Sequence, residues 1–318
     1  MVDWKPGATL ETLQVRAGLL TEIRQFFADR KVLEIETPLL ARSTATDVYI
    51  QSLETTPSTI PGEKSFYLQT SPEFAMKRLL GADIGPIFQI CKAFRQGEIS
   101  KRHNPEFTLL EWYQPGYSML ELIDEVEQLV MQLLHCEPIP RLSYRELFQQ
   151  FLGINPHSVM GDELRAIAES HVELGSKNLS DTDYLQLLMS HCIEPQMPEN
   201  CFIYDYPVAQ AALAQIQGNQ HGEQVAKRFE LYCQRVELAN GYFELTDPEQ
   251  QRMRFESDLH AREVLQLPTY PVDEKLLAAL EHGLPDCSGV ALGIDRLVMI
   301  ARGASSIDAV LTFSSERI

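Results

Sequence analysis

Charged and aromatic side chains are concentrated in residues 94–107, between two short apolar runs at residues 87–94 and 107–113. The chemically active side chains of this segment are Arg95, Glu98, His103, Asn104 and Phe107. Short apolar runs on either side of a polar segment favour a strand–loop–strand hairpin. Such a hairpin would direct its charged groups at a polyanion.

Two further segments, one near each end of the chain, combine a predicted helix with a neighbouring strand-like run that contains glycine or proline. Residues 289–297 read as a glycine-bearing strand that runs into a helix, with Arg296 in the first helical turn. Near the N-terminus, a helix is followed by residues 31–39, which include Pro38. The three segments follow one another across about residues 15–302, which is nearly the whole chain.

This ordered set resembles motifs 1, 2 and 3 of the class II aminoacyl-tRNA synthetases, specifically the lysyl branch. The resemblance implies a single catalytic domain over residues 1–318, with an insertion at about residues 141–200 between the second and third motifs. Lysyl-tRNA synthetases also carry an N-terminal OB-fold that reads the anticodon. Here the first motif begins near residue 15, so we expect no anticodon-binding domain.

Residue patterns support the same α+β fold class, an antiparallel sheet flanked by helices. Periodicity and capping residues predict helices at 10–30, from Ser71 as N-cap to Leu80, after Ser118, after Asp247, and from Asp273 to Gly283. Strand-like segments lie at 66–69, 87–94, 107–113, 202–206, 229–238 and 289–292. Many neighbouring strands read as hairpins, which favours antiparallel pairing.

The resemblance implies that the hairpin and the third motif bind ATP. Arg95 would brace the α-phosphate and the attacking carboxylate, because a guanidinium donates two parallel hydrogen bonds. Phe107 and Arg296 would sandwich the adenine, and His103 would reach the outer phosphates. The full set implied for ATP is Arg95, Glu98, His103, Asn104, Phe107, Glu237, Leu238, Gly293 and Arg296, with Arg95 and Arg296 catalytic.

Two glutamates are candidates for holding Mg²⁺ together with nucleotide phosphates. Glu230 and Glu237 are seven residues apart, so one straight strand would place them on opposite faces. A tight turn near Gln234 and Arg235 would instead fold them onto paired strands that face one pocket, as the resemblance implies. Glu237 is the firmer ligand, and Glu230 also fits an ordinary exposed strand carboxylate.

A lysine-like substrate presents a distal ammonium that needs a carboxylate partner once it leaves water. The implied substrate-binding residues are Ser71, Glu73, Glu111, Tyr113, Asn240, Glu244 and Ala291. Ala291 stands where lysyl-tRNA synthetases commonly have glycine. We hypothesise that its methyl group disfavours an α-amine and leaves space for a β-amine.

The hairpin also departs from the lysyl pattern. Those enzymes usually have Arg-Asn-Glu where this chain has Arg95, Gln96 and Gly97, followed by Glu98. Either Glu98 or a backbone carbonyl would then meet the adenine amino group.

Composition limits the partners and the compartment. The net charge is −18 with only 27 Lys and Arg, which opposes tRNA binding, because nucleic-acid affinity depends on neutralising phosphates. The six cysteines form no Cys-x-x-Cys pair, and the first residues lack an apolar signal sequence. These features predict a cytoplasmic protein with reduced thiols.

The stand-alone catalytic domain is similar to synthetase paralogues that attach (R)-β-lysine to elongation factor P. The resemblance therefore implies ATP and Mg²⁺ as cofactors, lysine or β-lysine as substrate, elongation factor P as acceptor, and a homodimer formed through the first motif. Two alternatives stay open: a minimal enzyme that charges tRNA, and a regulatory paralogue that binds amino acid or nucleotide without catalysis.

Overall fold

The computed structural model describes residues 4–56, 65–173 and 179–318. The chain folds into two compact units, of which the first combines Met1–Cys136 with Leu245–Ile318 and the second is Glu137–Glu244. The predicted insertion at residues 141–200 lies inside the second unit. The description of the chain as one catalytic domain stays a prediction. The prediction that the first residues lack a signal sequence includes residues 1–3, which lie outside the described residues.

The elements follow the chain in order. The helices are α1 Leu10–Asp29, α2 Glu73–Leu80, α3 Met119–Leu134, α4 Tyr144–Leu152, α5 Gly161–His171, α6 Asp181–Leu188, α7 Pro248–Val264, α8 Glu274–His282 and α9 Ile294–Arg302. The strands are β1 Leu33–Glu34, β2 Leu40–Ala41, β3 Glu54–Thr55, β4 Phe66–Leu68, β5 Ile87–Phe94, β6 Glu106–Pro115, β7 Arg141–Ser143, β8 Cys201–Tyr206, β9 Ile216–Gly218, β10 Gln224–Cys233, β11 Val236–Phe243 and β12 Cys287–Gly293.

In the first unit, strands pair in the order β1–β5–β6–β12. The β1–β5 pair is parallel, whereas β5–β6 and β6–β12 are antiparallel. One face of this sheet packs against α1, where Phe27 stacks on Phe88 at 4.4 Å between ring centroids and meets Trp112 edge-on at 5.3 Å. A separate small sheet has the order β2–β4–β3. The other face of β6 is therefore left for the predicted site residues.

In the second unit, strands pair in the order β11–β10–β8–β7, and β9 adds to β10. The β7–β8 pair is parallel and the other pairs are antiparallel. The core includes Tyr144, Leu147, Phe148, Leu188, Ile203 and Tyr206. Helices α4 and α6 thus cover one face of these strands. Mostly antiparallel sheets with flanking helices confirm the predicted α+β class.

Local sequence signals explain most helix starts. Ser118 forms the predicted capping box with Glu121, and Asp247 caps α7 ahead of a proline in its first turn. The predicted N-cap at Ser71 is wrong by one residue, since Pro72 holds that position without a side-chain cap. The Ser71 hydroxyl still accepts from the backbone N–H of Glu73 at 3.0 Å, but it donates into the sheet as described below.

Within the described residues, no helix combines the length and the apolar character needed to cross a membrane.

Candidate active site

The loop between β5 and β6 is closed by backbone contacts at its base. The Arg95 N–H donates to the Pro105 carbonyl at 2.9 Å, and Ser100 pairs with His103 further out. Gly97 adopts a φ of +82°, a left-handed conformation that favours glycine. The lysyl pattern has glutamate where this chain has Gly97. The positive φ explains the difference, because the loop turns at this residue in a conformation that favours glycine.

The predicted nucleotide residues converge around this loop. The Arg95 guanidinium lies over the Phe107 ring at 5.1 Å, within cation–π distance. Its Nη1 also lies 3.6 Å from Glu98 Oε1, so the displaced carboxylate stays beside the site. Which group meets an adenine amino group, Glu98 or the backbone, stays a prediction.

Arg296 reaches the same loop from the first turn of α9. Its Nη2 lies 2.8 Å from His103 Nε2, and His103 Nδ1 lies 2.7 Å from Ser100 Oγ. Since a guanidinium can only donate, Nε2 accepts and the ring proton lies on Nδ1. Burial and the neighbouring Arg296 charge lower the pKa of His103, so the imidazole is neutral near pH 7.

Asn104 and Gly293, two further residues predicted to contact ATP, make contacts that hold the loop and the start of α9. Asn104 is buried; its Nδ2 donates to the Glu106 carbonyl at 2.6 Å, and its Oδ1 accepts from the Ser315 N–H at 2.9 Å. Gly293 lies opposite Leu109 in the β6–β12 pair and caps α9. Both residues brace the loop and the helix, and their predicted contacts with ATP stay predictions.

A second group of predicted residues surrounds Glu111 on β6. Ser71 Oγ donates to Glu111 Oε2 at 2.8 Å, and the Tyr113 hydroxyl donates to Oε1 at 2.7 Å. Burial, and then the charge of Glu73, raise the pKa of Glu111 to about 7. The structure thus brings Ser71, Glu73, Glu111 and Tyr113 together in one cluster, and their contact with a substrate stays a prediction.

Lys77 belongs to this pocket and was missed from the sequence. Its Nζ lies 2.6 Å from Glu73 Oε1, and its side chain is about 1% exposed. The available signal was the four-residue spacing from Glu73, which places the two side chains on one helix face. A lysine at that spacing usually forms a solvated surface pair, so its burial could not be inferred.

Ala291 lies directly opposite Glu111 in the β6–β12 register. Opposed residues of antiparallel strands point to the same face, so its methyl group borders the Glu111 pocket. The register thus places Ala291 beside Glu111, and its contact with a substrate stays a prediction.

The second unit contains the predicted glutamate hairpin. Strands β10 and β11 are joined at Gln234 and Arg235, which have φ values of 52° and 56° and so form a tight left-handed turn. Glu237 lies opposite Tyr232 and Glu230 lies opposite Asn240, with a bulge between the two pairs. The turn therefore folds Glu230 and Glu237 onto one face, as predicted.

Glu230 and Glu237 both line a cavity of about 500 Å³ within this unit. Glu230 is buried, so the alternative of an exposed strand carboxylate is wrong. One of its oxygens pairs with Arg228 and the other accepts from the Tyr232 hydroxyl at 2.9 Å. Burial raises the pKa of Glu230, Arg228 opposes that rise, and the charge of Glu237 adds to it.

The remaining predicted residues of this unit lie on or beside β11. Leu238 is about 2% exposed and Glu244 about 1%. Asn240 Oδ1 is buried, and no described residue donates a hydrogen bond to it. An amide oxygen in that state suits a ligand that carries a donor.

The carboxylates alone do not make a metal cage. Across the described residues, no group of three or more His, Cys, Asp or Glu side chains is arranged to hold a metal ion. Mg²⁺ commonly takes one or two carboxylates and completes its shell with nucleotide phosphates and water. The pair Glu230 and Glu237 fits that pattern, and Arg228 and Tyr232 hold the two oxygens of Glu230 in place.

Known proteins match this chain over nearly its whole length. The family described as "tRNA synthetases class II (D, K and N)" matches residues 1–317. An elongation factor P–(R)-β-lysine ligase of Klebsiella pneumoniae (strain 342) is 48% identical over 99% of this chain and 98% of its own length. Proteins of the same name from Salmonella paratyphi A (strain ATCC 9150 / SARB42) and Salmonella heidelberg (strain SL476) are 48% and 47% identical over the same shares.

Proposed function

Because the chain belongs to the class II tRNA synthetases of the D, K and N group, we propose that it is an AMP-forming ligase that joins (R)-β-lysine, or lysine, to the ε-amine of a specific lysine of elongation factor P. The observation that carries this proposal is the arrangement of β6. Phe107, Glu111 and Tyr113 occupy alternating positions on one face of this strand. Phe107 and Glu111 are separated by about 13 Å of strand, which leaves room for a ribose, a phosphate and a carboxylate between them.

Activation joins two anions, so it depends on the cations of the loop. A carboxylate oxygen of the amino acid attacks the α-phosphorus, the bond to the β-phosphate breaks, and pyrophosphate leaves. Arg95 would leave its position over Phe107 to brace the α-phosphate, and adenine would take its place on the ring. Arg296 would leave His103 to cover the other face of the adenine.

Bound Mg²⁺ would neutralise phosphate charge, held by Glu237 with Glu230 beside it. In the second step, the deprotonated ε-amine of the acceptor lysine attacks the acyl carbon. The carbonyl–phosphate bond breaks, AMP leaves, and the amine releases its second proton to solvent. Arg95 would act on charge that changes during these steps, which is where positioned charges contribute most to rate.

Recognition of the amino acid rests on Glu111. Its two oxygens are oriented by Ser71 and Tyr113, which pre-organises the carboxylate for an ammonium group. Glu73 is already paired with Lys77, so it contributes a shared rather than an additional negative charge. Asn240 and Glu244 are further candidates, and Ala291 would favour the β-amine over the α-amine.

Three further features accompany the proposal. A homodimer through the first motif is supported by the exposed side chains of Leu33 and Leu40. A cytoplasmic location is supported by the six cysteines, all of which lie among the described residues and form no disulfide there. A protein acceptor rather than tRNA is supported by the net charge of −18.

Intact-mass measurement of elongation factor P tests the proposal. The acceptor is incubated with this protein, Mg-ATP and either lysine isomer, with a parallel tRNA-charging reaction. We expect a lysyl-sized mass gain on elongation factor P that requires ATP and is larger with β-lysine. An Arg95→Ala variant is expected to abolish the gain. Charged tRNA without a mass gain would make the protein a minimal synthetase, and a gain that survives Arg95→Ala would exclude adenylate chemistry.

A further inference from the structure

We infer that Arg16, Thr108 and Asp295 form a positioning network that sets the separation of Phe107 and Arg296, and thereby the affinity for the adenine of ATP. The inference rests on the proposed use of Phe107 and Arg296 as an adenine sandwich. It assigns a role in nucleotide binding to a helix, α1, that contributes none of the predicted site residues.

Three short hydrogen bonds define the network. Arg16 Nη1 donates to Asp295 Oδ1 at 2.6 Å, and Arg16 Nη2 donates to Thr108 Oγ1 at 2.8 Å. The backbone N–H of Thr108 donates to Asp295 Oδ2 at 2.7 Å. One guanidinium therefore joins α1 to β6 and α9 at once, and both carboxylate oxygens of Asp295 are used.

The position of the network relates it to the nucleotide site. Thr108 follows Phe107 in the chain, and Asp295 precedes Arg296. The last rung between β6 and β12 pairs Leu109 with Gly293, so Thr108 lies one residue beyond the paired region. The Asp295 carboxylate accepts the Thr108 N–H there and ties the start of α9 to the start of β6.

The network lies on the face of β6 opposite to the site. Successive side chains of a strand point to opposite faces, so Thr108 points away from the face that carries Phe107 and Glu111. Thr108 and Asp295 are buried, and the Arg16 side chain is about 17% exposed. The contacts of this network do not need to change when a ligand enters the other face.

On the face of β6 that carries Phe107, by contrast, contacts must change when a nucleotide binds. Arg95 lies over Phe107 and Arg296 contacts His103, and an adenine between Phe107 and Arg296 would replace both contacts. Those contacts therefore do not hold the two sandwich residues apart in the nucleotide-bound form. Hydrogen bonds to the neighbouring residues Thr108 and Asp295 can do so, because a displacement of a fraction of an ångström is costly in an ion pair with both partners engaged.

Substitutions of Arg16 separate a positioning role from a general structural one. Arg16→Met removes both arms of the fork, whereas Arg16→Lys keeps the charge beside Asp295 but loses the second, fixed donor to Thr108. Thr108→Val removes only the hydroxyl and preserves the side-chain shape. Arg24→Met is the matched control, because Arg24 lies on the same helix in an exposed pair with Glu34.

The measurement compares the KM for ATP with the KM for lysine in amino-acid-dependent ATP–pyrophosphate exchange. We expect Arg16→Met to raise the KM for ATP by about tenfold or more, with the KM for lysine within about twofold of the original protein. Arg16→Lys should restore the melting temperature but not the KM for ATP. Thr108→Val should raise the KM for ATP by a smaller factor, and Arg24→Met should leave both values unchanged.

Binding of AMP by calorimetry keeps this test independent of the proposed ligase activity. AMP should bind more weakly to Arg16→Met, whereas binding of pyrophosphate should be unchanged, because only AMP carries the adenine. Equal losses for AMP and pyrophosphate, or full recovery of AMP binding in Arg16→Lys, would overturn the positioning role. If the original protein binds AMP but shows no exchange with any amino acid, the proposed function fails and the network is still tested.

Discussion

Under the proposed function, Glu111 binds an ammonium group, so its side chain must be ionised although it is buried. Burial alone would keep it protonated, and Glu73 adds to that effect. Ser71, Tyr113 and Lys77 act in the opposite direction. The balance leaves the pKa of Glu111 at about 7, so an arriving ammonium group completes the ionisation.

This balance predicts a pH-dependent affinity for the amino acid. An ammonium group binds the ionised form of Glu111, so the KM for lysine should fall as the pH rises from about 6 to about 8. Binding near pH 7 should release a proportion of one proton, which calorimetry in buffers of different ionisation enthalpy measures. The free energy of folding changes in the opposite direction: the raised pKa of Glu111 favours the folded state below the ordinary value of 4.5, and that contribution is lost as the pH rises through about 7.

Glu111→Gln should raise the KM for lysine and flatten its pH profile. Glu125→Gln is the control, since Glu125 is also a buried carboxyl of raised pKa but contacts Trp112 and Gln114 on the opposite face of β6. A pH profile that persists in Glu111→Gln would show that the titrating group belongs to the substrate or to another residue.

At the scale of elements, the pairing of β6 with β12 determines which residue lies beside Glu111. The register that places Ala291 opposite Glu111 is fixed over seven rungs, from Cys287 with Pro115 to Gly293 with Leu109. A register fixed over that length holds the methyl group of Ala291 at the border of the pocket.

Ala291→Gly should therefore raise the activation of α-lysine relative to β-lysine by about tenfold, the usual effect of one methyl-sized group in a binding pocket. The ratio of the two exchange rates is the measurement. Glycine also destabilises a strand interior by about 1 kcal/mol, so Ala226→Gly in the core of β10 serves as the control for that cost. An unchanged ratio in Ala291→Gly, equal to that in the control, would count against the assignment.

The elements themselves were largely readable from the sequence. Apolar runs predicted β5 to the residue, and the capping residues Ser118, Asp247 and Asp273 located three helix starts. The resemblance implied the turn at Gln234 and Arg235, whereas the residue pattern predicted one strand over residues 229–238. That strand prediction is wrong, because the chain turns between β10 and β11, and neither turn residue is a typical turn former. The two parallel pairs, β1 with β5 and β7 with β8, were not predicted. β1 and β7 are only two and three residues long and carry little periodicity.

The predicted site residues were also brought together within each unit, but their partners were not foreseen. Lys77, Arg228 and Arg16 are buried or nearly buried cations whose carboxylate partners lie on the same helix, the same strand or a distant helix. Cations usually remain in solvent, so burial of these three depends on tertiary packing that no local pattern encodes. The sequence resemblance singled out the residues proposed to meet the ligand, and the structure adds the cations that pair with carboxylates beside them.

At the scale of the whole molecule, the acidic balance and the exposed apolar side chains point to protein partners. The net charge of −18 would repel a nucleic-acid backbone. Exposed apolar side chains near the first motif instead offer a surface that another chain can cover, namely Leu33, Leu39 and Leu40 at 53%, 38% and 48% exposure. β1 also lies at an edge of the sheet, where unpaired backbone groups favour association.

A homodimer through this surface should be sensitive to a single charge. Leu33→Lys should shift the protein from dimer to monomer in sedimentation velocity at micromolar concentration, because two symmetry-related lysines would face each other and lose apolar contact. Met253→Lys adds the same charge at an exposed methionine of α7 and should remain a dimer. If the original protein sediments as a monomer, the interface is absent. If Leu33→Lys remains dimeric, the two chains meet elsewhere, and the exposed leucines are free to contact the acceptor protein instead.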